Sequence, residues 1–211
     1  MYDNLLIDLD GTISDNSEGI LKGVRDALEY FNIDYKEEEL YEFIGPPLLD
    51  SFMNGYGLDE DSANKAIEIY REHYKTKGLF ENKLYKDIEK VLKDMKSKGK
   101  RLFICTAKPE FFARKILAYF GIDNYFDDIY GATLTNERIH KDDIIGYCIF
   151  QNNLDKSITV MIGDRSHDIC GAKKHGISSI GVTYGFGSRD ELQDSGADEI
   201  VDSFSELLNL I

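Results

Sequence analysis

The sequence predicts an α/β protein, a doubly wound parallel sheet interrupted after its first strand by a small all-helical insertion. Three observations carry this. A short apolar run, Leu5-Leu6-Ile7-Asp8-Leu9, is closed by Asp10-Gly11-Thr12 and reads as a buried strand ending in a turn. From Tyr85 onward helical and strand patterns alternate, which implies parallel strands joined by crossover helices. Between these, helical periodicities run on with no strand signal. The expected organisation is an α/β core from residues 1–14 and 82–211, with a helical block over 15–81; a chain of 211 residues suits one domain with a modest insertion.

In the helical block, Ile20, Leu21, Val24, Leu28 and Phe31 recur at helical spacing after Ser17, a suitable N-cap. Further helical patterns cover 38–43, 48–55 and 59–77, the last with Ala66, Ile67, Tyr70 and Tyr74 on one stripe. Pro46 and Pro47 should break the block between two helices, because proline cannot continue a helix through its interior.

The alternation then begins with a helix to Lys98 bearing Ile88, Val91, Leu92 and Met95, followed by the strand 102–105. A helix over 110–120 is opened by Pro109 and closed by Gly121. Next come a strand around Ile129, a helix over 141–150, and the strongest strand signal, 158–162. A helix over 167–175, a strand over 179–182, a glycine-rich loop over 184–188, a strand over 199–201 and a helix over 204–210 complete the pattern.

Composition narrows the function. Lys and Arg number 25 against 39 Asp and Glu, a net charge of −14, so no basic field exists to condense onto nucleic acid or anionic lipid. No apolar run approaches the ~18 residues of a membrane-spanning helix, and the first residues lack a basic patch with an apolar stretch, so a cytoplasmic protein is expected. Cys105, Cys148 and Cys170 are widely spread with no paired spacing for zinc or redox work, and read as reduced packing residues. The aromatic pairs Tyr70/Tyr74 and Phe111/Phe112 read as core, and His73, His167 and His175 as structural neighbours rather than ligands.

In an open α/β sheet the ligand crevice lies outside the carboxyl ends of the strands. The polar residues just after the apolar runs form a consistent set: Asp8 and Asp10, Thr106 and Lys108, Lys141 before a helix, then Asp164 and Asp168. Carboxylates converging there repel unless a cation or proton lies between them. With no cysteine or histidine taken as a ligand, they make a hard-oxygen site suited to magnesium and a substrate phosphate. Lys141 and Thr106 supply a cation and a hydroxyl for phosphoryl oxygens.

Asp8-Leu9-Asp10-Gly11-Thr12, Thr106, Lys141 and Gly163-Asp164-Arg165-Ser166-His167-Asp168 resemble, in order and spacing, the four motifs of the haloacid dehalogenase superfamily of phosphohydrolases. The resemblance covers nearly the whole chain, the helical block corresponding to the family's small cap. Segments 81–85, 103–109 and 181–188 resemble the phosphoglycolate phosphatase branch, with Ala107 departing where that branch often has a polar residue. The resemblance implies that Asp8 is the nucleophile and that Asp10 is the general acid, then the general base. It also implies that Asp8, the Asp10 carbonyl and Asp164 bind Mg2+, steadied by Asp168, while Thr106 and Lys141 hold the phosphoryl group. Asp10 disfavours a dehalogenase, because displacing a halide needs no leaving-group acid.

The expected substrate is a small phosphorylated metabolite, phosphoglycolate first. A 5'-nucleotidase is the alternative, because 43–48 with Ser51 and Phe52 resembles a variant in such members. Gly45 and Pro46, in a rigid turn, are candidate substrate contacts beside Lys108, and Arg165 is a further one. A phosphosugar mutase would keep every core residue. A phospho-receiver switch gathers similar side chains but has no helical block after its first strand. A monomer or homodimer is expected.

Overall fold

The computed structural model describes residues 2–133 and 138–211. The chain divides into two compact units, Met1–Ser14 with Leu84–Ile211, and Asp15–Lys83. In chain order the strands are β1 (Asn4–Ile7), the two-residue β2 (Ser14–Asp15) and β3 (Lys83–Leu84), β4 (Arg101–Pro109), β5 (Asp128–Ala132), β6 (Thr159–Gly163), β7 (Ser178–Val182) and β8 (Glu199–Val201). Six of them make a parallel sheet in the order β5-β4-β1-β6-β7-β8. The helices are α1 (Ser17–Tyr30), α2 (Leu48–Asp50), α3 (Glu60–His73), α4 (Ile88–Ser97), α5 (Glu110–Phe120), α6 (Lys141–Asn152), α7 (Ser166–His175) and α8 (Arg189–Ser195). The expected doubly wound α/β fold is present.

The central strands carry apolar side chains on both faces, as a parallel sheet covered by helices requires. Leu6 is in register with Phe103 on one side and Met161 on the other. These three pack with Ile144, Ile145 and Cys148 of α6 and Ala172 of α7. Each of the Leu, Ile, Phe and Met side chains, once buried, contributes about 1.5–3 kcal/mol. On the sheet, β1 separates β4, whose connection α5 leads out to β5, from β6, whose connection α7 leads the other way to β7. The strand order reverses at β1, so the carboxyl ends of β1, β4 and β6 define the ligand crevice.

The helical unit is α1, a 3-10 segment (Glu39–Phe43), α2 continuing into a π-helical turn (Ser51–Gly55), and α3 continuing into another (Tyr74–Gly78). The break at the prolines is where the sequence puts it: Pro47 occupies the N-cap position of α2. Tyr70 and Tyr74 stack at 5.3 Å and are buried.

Several expectations are corrected. β4 runs past Cys105 to Pro109, with a register shift between Thr106 and Pro109, because pairing with β5 keeps its polar tail extended after the apolar run ends. Ser17 is the first residue of α1 rather than its cap; Asp15 Oδ1 accepts from its N–H and its hydroxyl. The last segment is a 3-10 helix (Phe204–Asn209). Cys170 is exposed, because the buried stripe of α7 passes through Asp168, Ile169, Gly171 and Ala172. Phe111 is exposed while Phe112 is buried, since adjacent helical residues do not share a face.

Candidate active site

Asp8 is the first residue beyond β1, its N–H donating to the Ile162 carbonyl of β6 and its Oδ1 accepting from the Leu9 N–H at 2.8 Å. Lys141 opens α6 and is buried, with Nζ 2.7 Å from Asp8 Oδ1 and 2.8 Å from Asp168 Oδ1. The same ammonium donates to the Cys105 carbonyl of β4 at 3.1 Å. Burial alone would pull the Lys141 pKa down, but the Asp168 and Asp8 carboxylates outweigh it and raise it above the lysine value. Lys141 thus ties together β1, β4 and the first turn of α7.

Asp168 is fully buried, and its second oxygen accepts from the Arg165 N–H at 3.1 Å, closing the start of α7. Asp164, just beyond β6, is also fully buried. Burial first, then the Asp8 and Asp168 charges, push its pKa up to about 8. Carboxyl oxygens of Asp8, Asp164 and Asp168 lie within 4.8 Å of one another. Three carboxylates against one ammonium leave two negative charges in excess when all are ionised. An all-oxygen set with that excess fits a divalent cation and could hold one.

Around this cluster, Asp10 Oδ2 pairs with Lys108 Nζ at 2.8 Å, and Lys108 is buried rather than solvated. Thr106 is buried, its Oγ1 accepting from the Lys108 N–H. Arg165 pairs with Glu191 at 3.0 Å. Burial lowers the pKa of the partly buried His167, which favours the neutral imidazole. Asp8, Asp10, Thr106, Lys108, Lys141, Asp164 and Asp168 all belong to the α/β unit; Gly45 and Pro46 belong to the helical unit, at the turn before α2.

The structure gives roles to motif and loop residues for which the sequence assigned none. The Phe186 N–H donates to Asp164 Oδ2 at 2.7 Å, and the Thr12 hydroxyl donates to Asp164 Oδ1 at 3.4 Å. Gly11 sits at φ +81°, and a Cβ there would lie 2.1 Å from Asp164 Oδ2. A Cβ on Gly185 would lie 2.3 Å from the Gly11 carbonyl oxygen and 2.5 Å from Asp164. Only glycine fits either wall of this slot. The available signal was a glycine-rich loop directly after a strand on the same side of the sheet.

The model of the haloacid dehalogenase-like hydrolases matches residues 5–182, and the chain belongs to that family. It is an enzyme, and its relatives place it among the family's phosphatases. A 5'-nucleotidase of Pseudomonas aeruginosa is 44% identical over 193 residues, 91% of this chain and 87% of that protein. A phosphoglycolate phosphatase of Colwellia psychrerythraea is 33% identical over 214 residues, 97% of this chain and 94% of that protein. The crystal structure of a predicted phosphatase from Clostridium acetobutylicum matches with a TM-score of 0.95 at 44% identity, covering 100% of this chain and 98% of that one. Among the described residues, no helix is long and apolar enough to cross a membrane.

Proposed function

We propose that this protein is a magnesium-dependent phosphomonoester hydrolase that works through an aspartyl-phosphate on Asp8. The observation that carries the reading is the buried Lys141 ammonium, held between Asp8 and Asp168 with Asp164 in the same cluster. It supports reading Asp8 as the nucleophile, Lys141 as the cation for the phosphoryl oxygens and the three carboxylates as an oxygen-only metal site at neighbouring strand ends.

In the proposed first step an Asp8 carboxylate oxygen attacks phosphorus, the ester P–O bond breaks, and Asp10 gives its proton to the leaving alkoxide. In the second, Asp10 takes a proton from a water molecule whose oxygen attacks phosphorus. The bond from phosphorus to Asp8 breaks, releasing inorganic phosphate. Lys141 and Thr106 hold the phosphoryl oxygens, and positioning with charge balance is most of what a protein contributes to phosphoryl transfer. Lys108, paired with Asp10 Oδ2 in the absence of substrate, is proposed to contact a substrate anion. Asp8, Asp164 and the Asp10 carbonyl, steadied by Asp168, would hold Mg2+, which when bound offsets the charge of the phosphoryl oxygens.

For the substrate, the higher identity of the relative named 5'-nucleotidase, 44% against 33%, supports nucleoside 5'-monophosphates ahead of phosphoglycolate. Phosphoglycolate is kept as a second reading because that relative matches nearly end to end. Gly45 and Pro46 are proposed to take part in selecting between them, on the resemblance alone. Phosphate release with Mg2+ is measured over nucleoside monophosphates, phosphoglycolate and sugar phosphates. Turnover of at least one class, abolished by chelator, is expected; no release from any of them overturns the reading.

A further inference from the structure

The loop after β7 reaches a part of the molecule distant in sequence. The Tyr184 hydroxyl donates to the Thr12 carbonyl at 2.8 Å, while its ring meets Tyr85 edge-on at 4.8 Å. Two residues later the Phe186 N–H donates to Asp164 Oδ2, and Gly185 between them lies against both the Gly11 carbonyl and the Asp164 side chain. Thr12 in turn donates its hydroxyl to the other Asp164 oxygen, and its N–H closes the turn onto the Leu9 carbonyl. Asp164 is therefore clamped from two sides. One jaw is the turn that carries Asp10; the other is the loop 184–187. The Tyr184 hydroxyl is a hydrogen bond joining the jaws.

We infer that Tyr184 is a positioning residue for the metal site, setting the Asp164 carboxylate and the Asp10 turn at the spacing a divalent cation requires. This rests on the reading of Asp8 and Asp164 as metal ligands. The physical reason is rigidity. Magnesium demands near-ideal octahedral geometry at about 2.0–2.1 Å, so a carboxylate free to rotate, or a turn free to drift, binds it less well. The residues that orient metal ligands commonly change metal affinity about 10- to 100-fold when altered. Tyr184 touches neither carboxylate, so its effect should fall at the lower end of that range or below it. Packing alone does not account for the hydroxyl, which a phenylalanine would dispense with while keeping the contact to Tyr85.

The test uses the full chain and Tyr184→Phe, with Mn2+ as a spectroscopic stand-in for Mg2+ in the absence of substrate. Mn2+ binding is followed by electron paramagnetic resonance, alongside thermal unfolding in chelator and kcat and KM at several Mg2+ concentrations. Loss of one neutral hydrogen bond is expected to weaken Mn2+ binding about three- to ten-fold. kcat should recover at saturating Mg2+, and unfolding in chelator should be little changed. Gly185→Ala, which pushes a methyl into Asp164 and the Gly11 carbonyl, should weaken Mn2+ binding more. Unchanged Mn2+ affinity in Tyr184→Phe, with or without a lower unfolding temperature in chelator, overturns the assignment and leaves the hydroxyl a structural bond. A wild-type chain that binds no Mn2+ overturns the metal site itself, and this assignment with it.

Discussion

The strand ends of the α/β unit and the helical unit treat charge in opposite ways. At the strand ends the Lys141 side chain is 2% exposed and its partners Asp8 and Asp168 are 7% and 0% exposed. In the helical unit the ion pairs lie toward solvent: Lys22 with Glu81, Arg25 with Glu37, Lys65 with Glu68. That unit buries apolar side chains such as Leu28, Leu40, Phe52 and Ala66 instead. Burying ions costs several kcal/mol each, so a fold keeps them inside only where something else compensates. The lesson is that buried carboxylates, rather than charge in general, mark the chemistry: Asp8, Asp164 and Asp168 are buried together, whereas the buried Lys100 pairs with the exposed Asp3 at the other end of the sheet.

The sharpest way to break this comparison is Asp8→Asn. The amide is a poor nucleophile of nearly the same shape, so phosphate release should be abolished while the far-UV spectrum and unfolding cooperativity are kept. Release near the wild-type rate would remove Asp8 from the reaction. Asp10→Asn should come next, with a loss of at least about 10²-fold on alkyl phosphates, the usual worth of a positioned proton donor. An activated aryl phosphate, whose leaving group needs no proton, should lose less. Equal losses on both esters would contradict the role.

Lys141→Ala probes the cluster's stability apart from turnover. Removing the ammonium leaves Asp8 and Asp168 buried beside Asp164 with no cation, and breaking buried pairs of this kind costs about 3–5 kcal/mol. Urea unfolding in chelator should show that loss, and Mg2+ should restore part of it. No loss in chelator would mean the carboxylates are not charged there.

These side chains were legible in the sequence for a physical reason. Asp8, Thr106 and Asp164 each directly follow an apolar run, and Lys141 opens a helix, so strand polarity alone sends them to one end of the sheet. The Lys108 pairing with Asp10 was not legible, because it depends on the polar tail of β4 staying extended through a register shift. Nor was the Tyr184 contact, which spans 172 residues, or the Cys105 carbonyl, a backbone acceptor that no side-chain pattern announces. Patterns of apolar residues specify where strands end; they do not specify which loop closes over them.

Proton linkage at Asp164 sharpens the same contrast. With its folded pKa near 8, above the ordinary 3.8, the folded chain holds a proton that the unfolded chain has lost, so stability falls as pH rises toward 8. His167, whose pKa is lowered from 6.5, acts in the opposite direction up to about that pH, so from 6.5 to 8 the decline belongs to the buried carboxyls, Asp164 together with Asp168, whose pKa is raised as well. In chelator the urea midpoint should decline across that interval, and Asp164→Asn should make the decline shallower. A flat wild-type profile would show that Asp164 is ionised without a metal.

The smallest effect belongs to the helical unit. Lys22 is half exposed and pairs with Glu81 at 3.2 Å, and Glu81 also contacts His73 Nε2 at 3.0 Å. Lys22→Ala therefore leaves Glu81 with a partner and with water. Exposed pairs of this kind contribute roughly 0.2–1 kcal/mol, so urea unfolding of the full chain should shift by no more than that. The shift should vanish in about 1 M salt, where the screening length shrinks to about 3 Å. Phosphate release under saturating Mg2+ and substrate should not change, because no charge at the strand ends has been touched. A loss of about 2 kcal/mol or more, beyond the worth of any exposed pair, would show that the helical unit too depends on its ions and that burial is the wrong criterion for separating the two regions.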